Sequence, residues 1–152
     1  MTNLEIKAAL TDEQALTLTL WGEARSERIE GRIAVGCVIR NRMAKGQRSA
    51  KSICLAKSQF SCWWTWGGQN NYAAVMDWAR KLSLGAAIPA KSVLDECAWI
   101  ADGLLGNRVR DTVKTATHYY APAAMLPAGR VPGWAKGLEP LAAIGGHLFF
   151  RV

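Results

Sequence analysis

Glu23 carries the strongest chemical signal in the chain. It follows Leu16 and Leu20 at helical spacing, with Thr19 between them, so its carboxyl shares a face with apolar side chains. A carboxyl in such surroundings has its charged form disfavoured and its pKa raised, as a general acid working near neutral pH requires. The plainer alternative is a surface glutamate paired with Arg25 or with the neighbours of Glu27. A second candidate is Gln59-Phe-Ser-Cys-Trp-Trp-Thr-Trp66. Aromatic faces there could stack on sugar rings, although at least one of these Trp is expected to fill the core. A third is Thr115-Ala-Thr-His-Tyr-Tyr-Ala121, with hydroxyls and a histidine at period two. These could hold a polar substrate, or alternate toward solvent along a strand.

Other chemistries find little support. His118 and His147 have no third ligand in register, so no metal site and no cofactor are expected. Neither a Gly-rich phosphate loop nor a GxSxG elbow occurs. The four cysteines form no CxxC. Cys37 and Cys97 read as buried thiols, while Cys54 and Cys62 flank a short loop and could bridge in an oxidising compartment. Four free thiols are expected.

The elements that must position these residues are mostly helical. Thr11-Asp-Glu-Gln14 fits a capping box opening the first helix, with Leu10 free to pack on its first turn. A second helix is predicted from about Ile29 to Ala44, ending at Gly46 and apolar enough to be the central one. Residues 47 to 71 read as a long aromatic loop with one helical turn near Ile53. A third helix carries Val75, Trp78, Ala79 and Leu82, and a fourth opens at Ser92 and runs to Gly106. Prolines 122, 127, 132 and 140 interrupt the last third, which closes on a strand from His147 to Val152.

With 152 residues, half of them apolar, the chain suits one folded domain and not a disordered one. Its longest apolar run, Ile33 to Ile39, is far short of the roughly 20 residues that cross a bilayer, so no membrane insertion is expected. The opening Met1-Thr-Asn-Leu-Glu-Ile-Lys lacks the basic-then-apolar pattern of a secretory signal. Lys and Arg exceed Asp and Glu by 19 to 12, a net charge of +7 that favours anionic partners: nucleic acid, a membrane surface or an acidic wall polymer. The charge is dispersed, with no block of five like charges, so nucleic acid is not the expected partner.

An ordered series of motifs resembles the cell-wall hydrolases related to spore-cortex-lytic enzymes. It runs Trp21-Gly-Glu-Ala-Arg-Ser-Glu27, Glu30-Gly-Arg-Ile-Ala-Val35 and Val38-Ile-Arg-Asn-Arg42. Ser52-Ile-Cys54, Gln59-Phe-Ser61, Asp111-Thr and Ala116-Thr-His-Tyr-Tyr-Ala-Pro122 follow, then Pro132-Gly-Trp134 and Ile144-Gly-Gly-His147. The resemblance implies a mainly α (α+β) fold, a lysozyme-like single domain over residues 1–152 with a small β or irregular C-terminal part. It implies cleavage of the β-1,4 bond between N-acetylmuramic acid and N-acetylglucosamine in peptidoglycan. The expected chemistry is lytic transglycosylation, in which Glu23 protonates the leaving oxygen and then helps the muramyl 6-hydroxyl close a 1,6-anhydro ring.

Substrate contacts are expected from Glu27, Gln59, Phe60, Ser61, Thr117, Tyr119, Tyr120 and Trp134, although Glu27 could instead hold Arg25 or a backbone amide. The implied partner is the peptidoglycan glycan strand, met by a monomer. The implied setting is that of a phage endolysin, made in the host bacterial cytoplasm and admitted to the wall by a separate membrane-permeabilising protein. Alternatives are a hydrolytic muramidase of the same fold, or a non-catalytic glycan- or nucleic-acid-binding module.

Overall fold

A computed structural model describes residues 1–65 and 71–152; Trp66 of the aromatic segment lies outside the described residues. The chain is mostly helical and closes on a small sheet. Helices α1 (Asn3–Ala9), α2 (Asp12–Ala24), α3 (Ile29–Gly46) and α4 (Ala50–Cys54) are followed by a 3-10 turn at Ser61–Trp63. Helices α5 (Asn71–Ser83) and α6 (Val93–Leu105) come next, then strands β1 (His118–Tyr120), β2 (Ala142–Ile144) and β3 (His147–Phe150). The sheet is antiparallel in the order β1-β3-β2, with Tyr119 opposite Phe149 and Ala143 opposite Leu148. No described helix is long and apolar enough to cross a membrane.

The hub is α2, which packs against α3, α4, α5 and α6. Its capping box forms as expected: Thr11 Oγ1 accepts from Gln14 N at 3.1 Å, and Gln14 Oε1 accepts from Thr11 N at 3.0 Å. Every residue from Ala15 to Leu20 is buried, Thr17 and Thr19 included. Thr19 reconciles its hydroxyl with the interior by donating to Ala15 O at 2.7 Å and accepting from Trp63 Nε1 at 2.9 Å. Helix α3 was expected to take the central place from its apolar run. It buries residues 34 to 39, but α2 is the element surrounded by the others, its two buried threonines having masked this in the sequence.

Several expectations need correction. Helix α1 went unforeseen because it is short and buries only Ile6; Thr2 and Glu5 give it a capping box of its own. Helix α3 does end at Gly46 as expected, with Gln47 taking the left-handed cap at φ 51°. After α3 the helical turn expected near Ile53 forms as α4, capped by Ser49, but Phe60, Cys62 and Trp63 are buried in the core where an aromatic loop was expected. The C-terminal part holds three strands where one was predicted. All four cysteines are free and buried.

The end of α2 is fastened by a residue from α3. Arg32, only 9% exposed, donates from Nε to Ala24 O at 3.3 Å and from Nη2 to Arg25 O at 3.1 Å, and pairs with Glu96 of α6. Helix C-termini leave carbonyls without intrahelical partners, and this guanidinium meets them with charge-assisted bonds. Arg32→Met is expected to lower stability in urea unfolding by about 2–3 kcal/mol, because it strips donors from two carbonyls and a carboxylate at once. Glu96→Gln, which keeps an acceptor at a part-exposed position, is expected to cost less than about 1 kcal/mol. Equal losses in the two variants would contradict this account of the helix end.

Candidate active site

Glu23 lies in the last turn of α2, on the face shared with the fully buried Leu16 and Leu20, and is itself partly buried. Two other segments converge on its carboxyl. Ser61 Oγ donates to Oε2 at 3.4 Å and the backbone N–H of Cys62 to the same oxygen at 3.3 Å, both from the 3-10 turn. The Tyr119 hydroxyl of β1 donates to Oε1 at 3.3 Å. These are long bonds, of the kind that tighten when substrate arrives.

Burial is the main influence on the Glu23 carboxyl and raises its pKa above the ordinary 4.5; the donors at Cys62, Tyr119 and Ser61 pull the other way without prevailing. The neighbours are themselves neutral. Burial pushes the Cys62 thiol and the Tyr119 phenol well up, and the adjacent Glu23 adds to both shifts. Arg25 does not pair with the acid: its Nη2 donates to Asn71 Oδ1 at 2.6 Å and its guanidinium stacks 4.1 Å over the Trp21 ring. The surface-pair alternative for Glu23 is thereby replaced by an enclosed carboxyl.

Gly22 makes the convergence possible. A Cβ there would stand 2.7 Å from Cys62 Cβ and 2.9 Å from Val75 Cγ2, so only glycine lets the 3-10 turn approach the helix. The turn is fixed from its other side by the bond between Trp63 and Thr19.

Of the residues expected to contact substrate, Ser61 and Tyr119 meet at Glu23. Gln59 Oε1 accepts from Arg42 Nη1 at 3.2 Å, and Phe60 is a core residue under the same guanidinium. Thr117 Oγ1 accepts from Val152 N at 3.2 Å and lies 3.0 Å from His118 Nδ1. Tyr120 stacks on Phe150 and meets Trp134 edge-on, with centroids 5.7 and 5.9 Å away. Side chains alternate along a strand, so this cluster lies on the face of β1 opposite Tyr119.

Glu27 holds a backbone amide, the alternative left open by its sequence. Its Oε1 accepts from Gly146 N at 3.4 Å and lies 2.8 Å from His147 Nδ1. Gly145, at φ 57°, turns the β2–β3 connection against it; a Cβ there would come within 3.0 Å of Glu27 Oε1. The His147 ring in turn packs edge-on to Tyr119, centroids 5.1 Å apart.

Sequence reasoning missed Cys62, Arg42 and His147 as parts of this neighbourhood. Cys62 acts through its backbone, which no side-chain pattern reveals, and the only chemistry weighed for His147 was metal ligation, although it closes one of the family-like motifs. Among the described residues no group of three His, Cys, Asp or Glu side chains could hold a metal ion.

A family model described as Cell Wall Hydrolase matches residues 26–150. The match opens three residues after Glu23, so the family likeness and the candidate acid are separate observations. Among solved structures, the chain is similar to the catalytic domain of the germination-specific lytic transglycosylase SleB from Bacillus anthracis. The TM-score is 0.62 with 20% identity over 92% of this chain and 93% of that one, a likeness of fold. No curated protein sequence matches the chain.

The raised pKa has a consequence for stability. The folded state keeps the Glu23 proton at pH values where the unfolded chain has lost it, so this group lowers stability as pH rises above 4.5 and until its own raised pKa is passed. Glu23→Gln is therefore expected to melt at a higher temperature than wild type at neutral pH and to lose that advantage below pH 4.5. Thermal melts across this range check it; a variant less stable at neutral pH than in acid, relative to wild type, would contradict the shift.

Proposed function

The chain belongs to the cell wall hydrolase family, and from that premise we propose that it cleaves the β-1,4 bond between N-acetylmuramic acid and N-acetylglucosamine in peptidoglycan, as a lytic transglycosylase with Glu23 as acid and base. The observation that carries this reading is a partly buried carboxyl addressed by neutral donors from two other segments, with no cation bonded to it among the described residues.

Raised by desolvation, Glu23 holds a proton for the leaving glycosidic oxygen. Once the proton is transferred, Ser61, Cys62 N–H and Tyr119 receive the new carboxylate, each donating to an oxygen that has just become a stronger acceptor. The same carboxylate then takes the proton of the muramyl 6-hydroxyl as that oxygen closes on the anomeric carbon. A single acid suffices because the nucleophile belongs to the substrate. A hydrolase using water would need a second carboxylate about 5–10 Å away; Glu27, the nearest in sequence, is occupied with Gly146 and His147. The structurally similar domain from Bacillus anthracis is a lytic transglycosylase, which is in keeping with this chemistry.

Glu23→Gln is expected to reduce release of soluble fragments from isolated sacculi by about 10²–10⁴-fold. Mass spectrometry of wild-type products should show 1,6-anhydro ends; reducing ends would mean hydrolysis by water, and full activity in the variant would remove Glu23 from the reaction. Tyr119→Phe deletes a donor that favours the carboxylate, so the pH at which activity falls on the alkaline side should move upward. A downward shift would mean that Tyr119 does not act through Glu23.

A further inference from the structure

Arg42 and Arg48 line a pocket of about 260 Å³ together with Ile53, Ala56 and Gln59. Arg42 donates from Nε to Thr117 O at 2.5 Å and from Nη1 to Gln59 Oε1 at 3.2 Å. Arg48 donates from Nε to Ser52 Oγ at 2.9 Å and from Nη2 to Ser52 O at 3.0 Å. A guanidinium has five N–H donors, so each arginine keeps three for another partner. All the acceptors they have are neutral. Among the described residues neither forms a salt bridge.

Such a pair calls for an anion. Arginine stays charged even where burial lowers its pKa, as it does at Arg42. A partly desolvated cation with no counter-charge is stabilised by whatever carboxylate reaches it, and paired planar forks suit a bidentate one. The place is also informative. Arg42 ties Thr117, two residues before Tyr119, to Gln59, two residues before Ser61. It therefore joins the two segments whose hydroxyls hold Glu23, and Gln59 of the first of them lines the pocket. Ile53 and Ala56 give it an apolar side fit for a short aliphatic arm.

We propose that Arg42 and Arg48 form an anion subsite for a carboxylate carried on the lactyl arm of muramic acid. On peptide-bearing glycan the carboxylate comes from the stem peptide; on stripped glycan it is the lactyl acid itself. This rests on peptidoglycan being the substrate, and it makes the subsite a determinant of which glycan is preferred.

The test is binding of soluble probes to the whole chain by titration calorimetry: N-acetylmuramoyl-L-alanyl-D-glutamate, its amidated form and N-acetylmuramic acid. Wild type should bind the acidic dipeptide probe about tenfold more tightly than the amidated one, and added salt should shrink the difference. Arg48→Ala should abolish the preference and Arg48→Lys should keep part of it, as a point charge without the fork. Tighter binding of the acidic dipeptide than of N-acetylmuramic acid assigns the stem carboxylate; the reverse assigns the lactyl acid. Equal affinity for acidic and amidated probes, no binding of the acidic probe, or a preference that survives Arg48→Ala overturns the proposal. Binding needs no turnover, so a chain that shows the preference yet leaves sacculi intact would retire the cleavage reading and keep the subsite.

Discussion

Ionising a carboxyl that has been moved out of water costs free energy in proportion to the solvation it loses, and the surroundings of Glu23 restore that solvation only in part. Leu16 and Leu20 occupy its helix face, while Ser61, Cys62 N–H and Tyr119 offer neutral hydrogen bonds at 3.3–3.4 Å. Neutral donors stabilise a carboxylate less than a cation would, so the proton is retained above the ordinary range. The same donors are positioned to accept the charge once the proton has gone. A salt bridge in their place would have produced a permanent carboxylate with no proton to give.

That balance depends on elements distant in sequence arriving at one point. Gly22 lets the 3-10 turn approach α2, and Trp63 pins the turn to Thr19. Arg32 fastens the end of the helix that carries the acid. Arg42 joins the segment before Ser61 to the segment before Tyr119, and Glu27 engages the β2–β3 turn whose His147 ring packs on Tyr119. Each fastening uses a polar group that hydrophobic patterning leaves unexplained. Core packing brings the helices together, and these few polar contacts place the carboxyl within the packed frame.

The parts of this arrangement that follow periodicity and capping were legible in the sequence. Thr11 and Gln14 announced the start of α2, Ser92 that of α6, and the spacing of Leu16, Leu20 and Glu23 placed the acid on an apolar face. Elsewhere the local pattern was too weak or was ambiguous. Helix α1 buries one side chain, and β1 and β2 have three residues each, too few to establish a period. Phe60 was expected to contact substrate and Trp63 read as either sugar platform or core; only tertiary packing assigns both to the core. Tyr119 and Tyr120 are adjacent and chemically alike. Strand alternation alone separates them, sending one to Glu23 and the other to Trp134.

The central claim is that Glu23 keeps its proton because burial outweighs the donors around it. Carbon-13 NMR of the side-chain carboxyl, followed through a pH titration of the free protein, reads this directly. The account predicts a midpoint above the ordinary 4.5 that coincides with the alkaline fall in sacculus cleavage. A midpoint at or below 4.5 would contradict it.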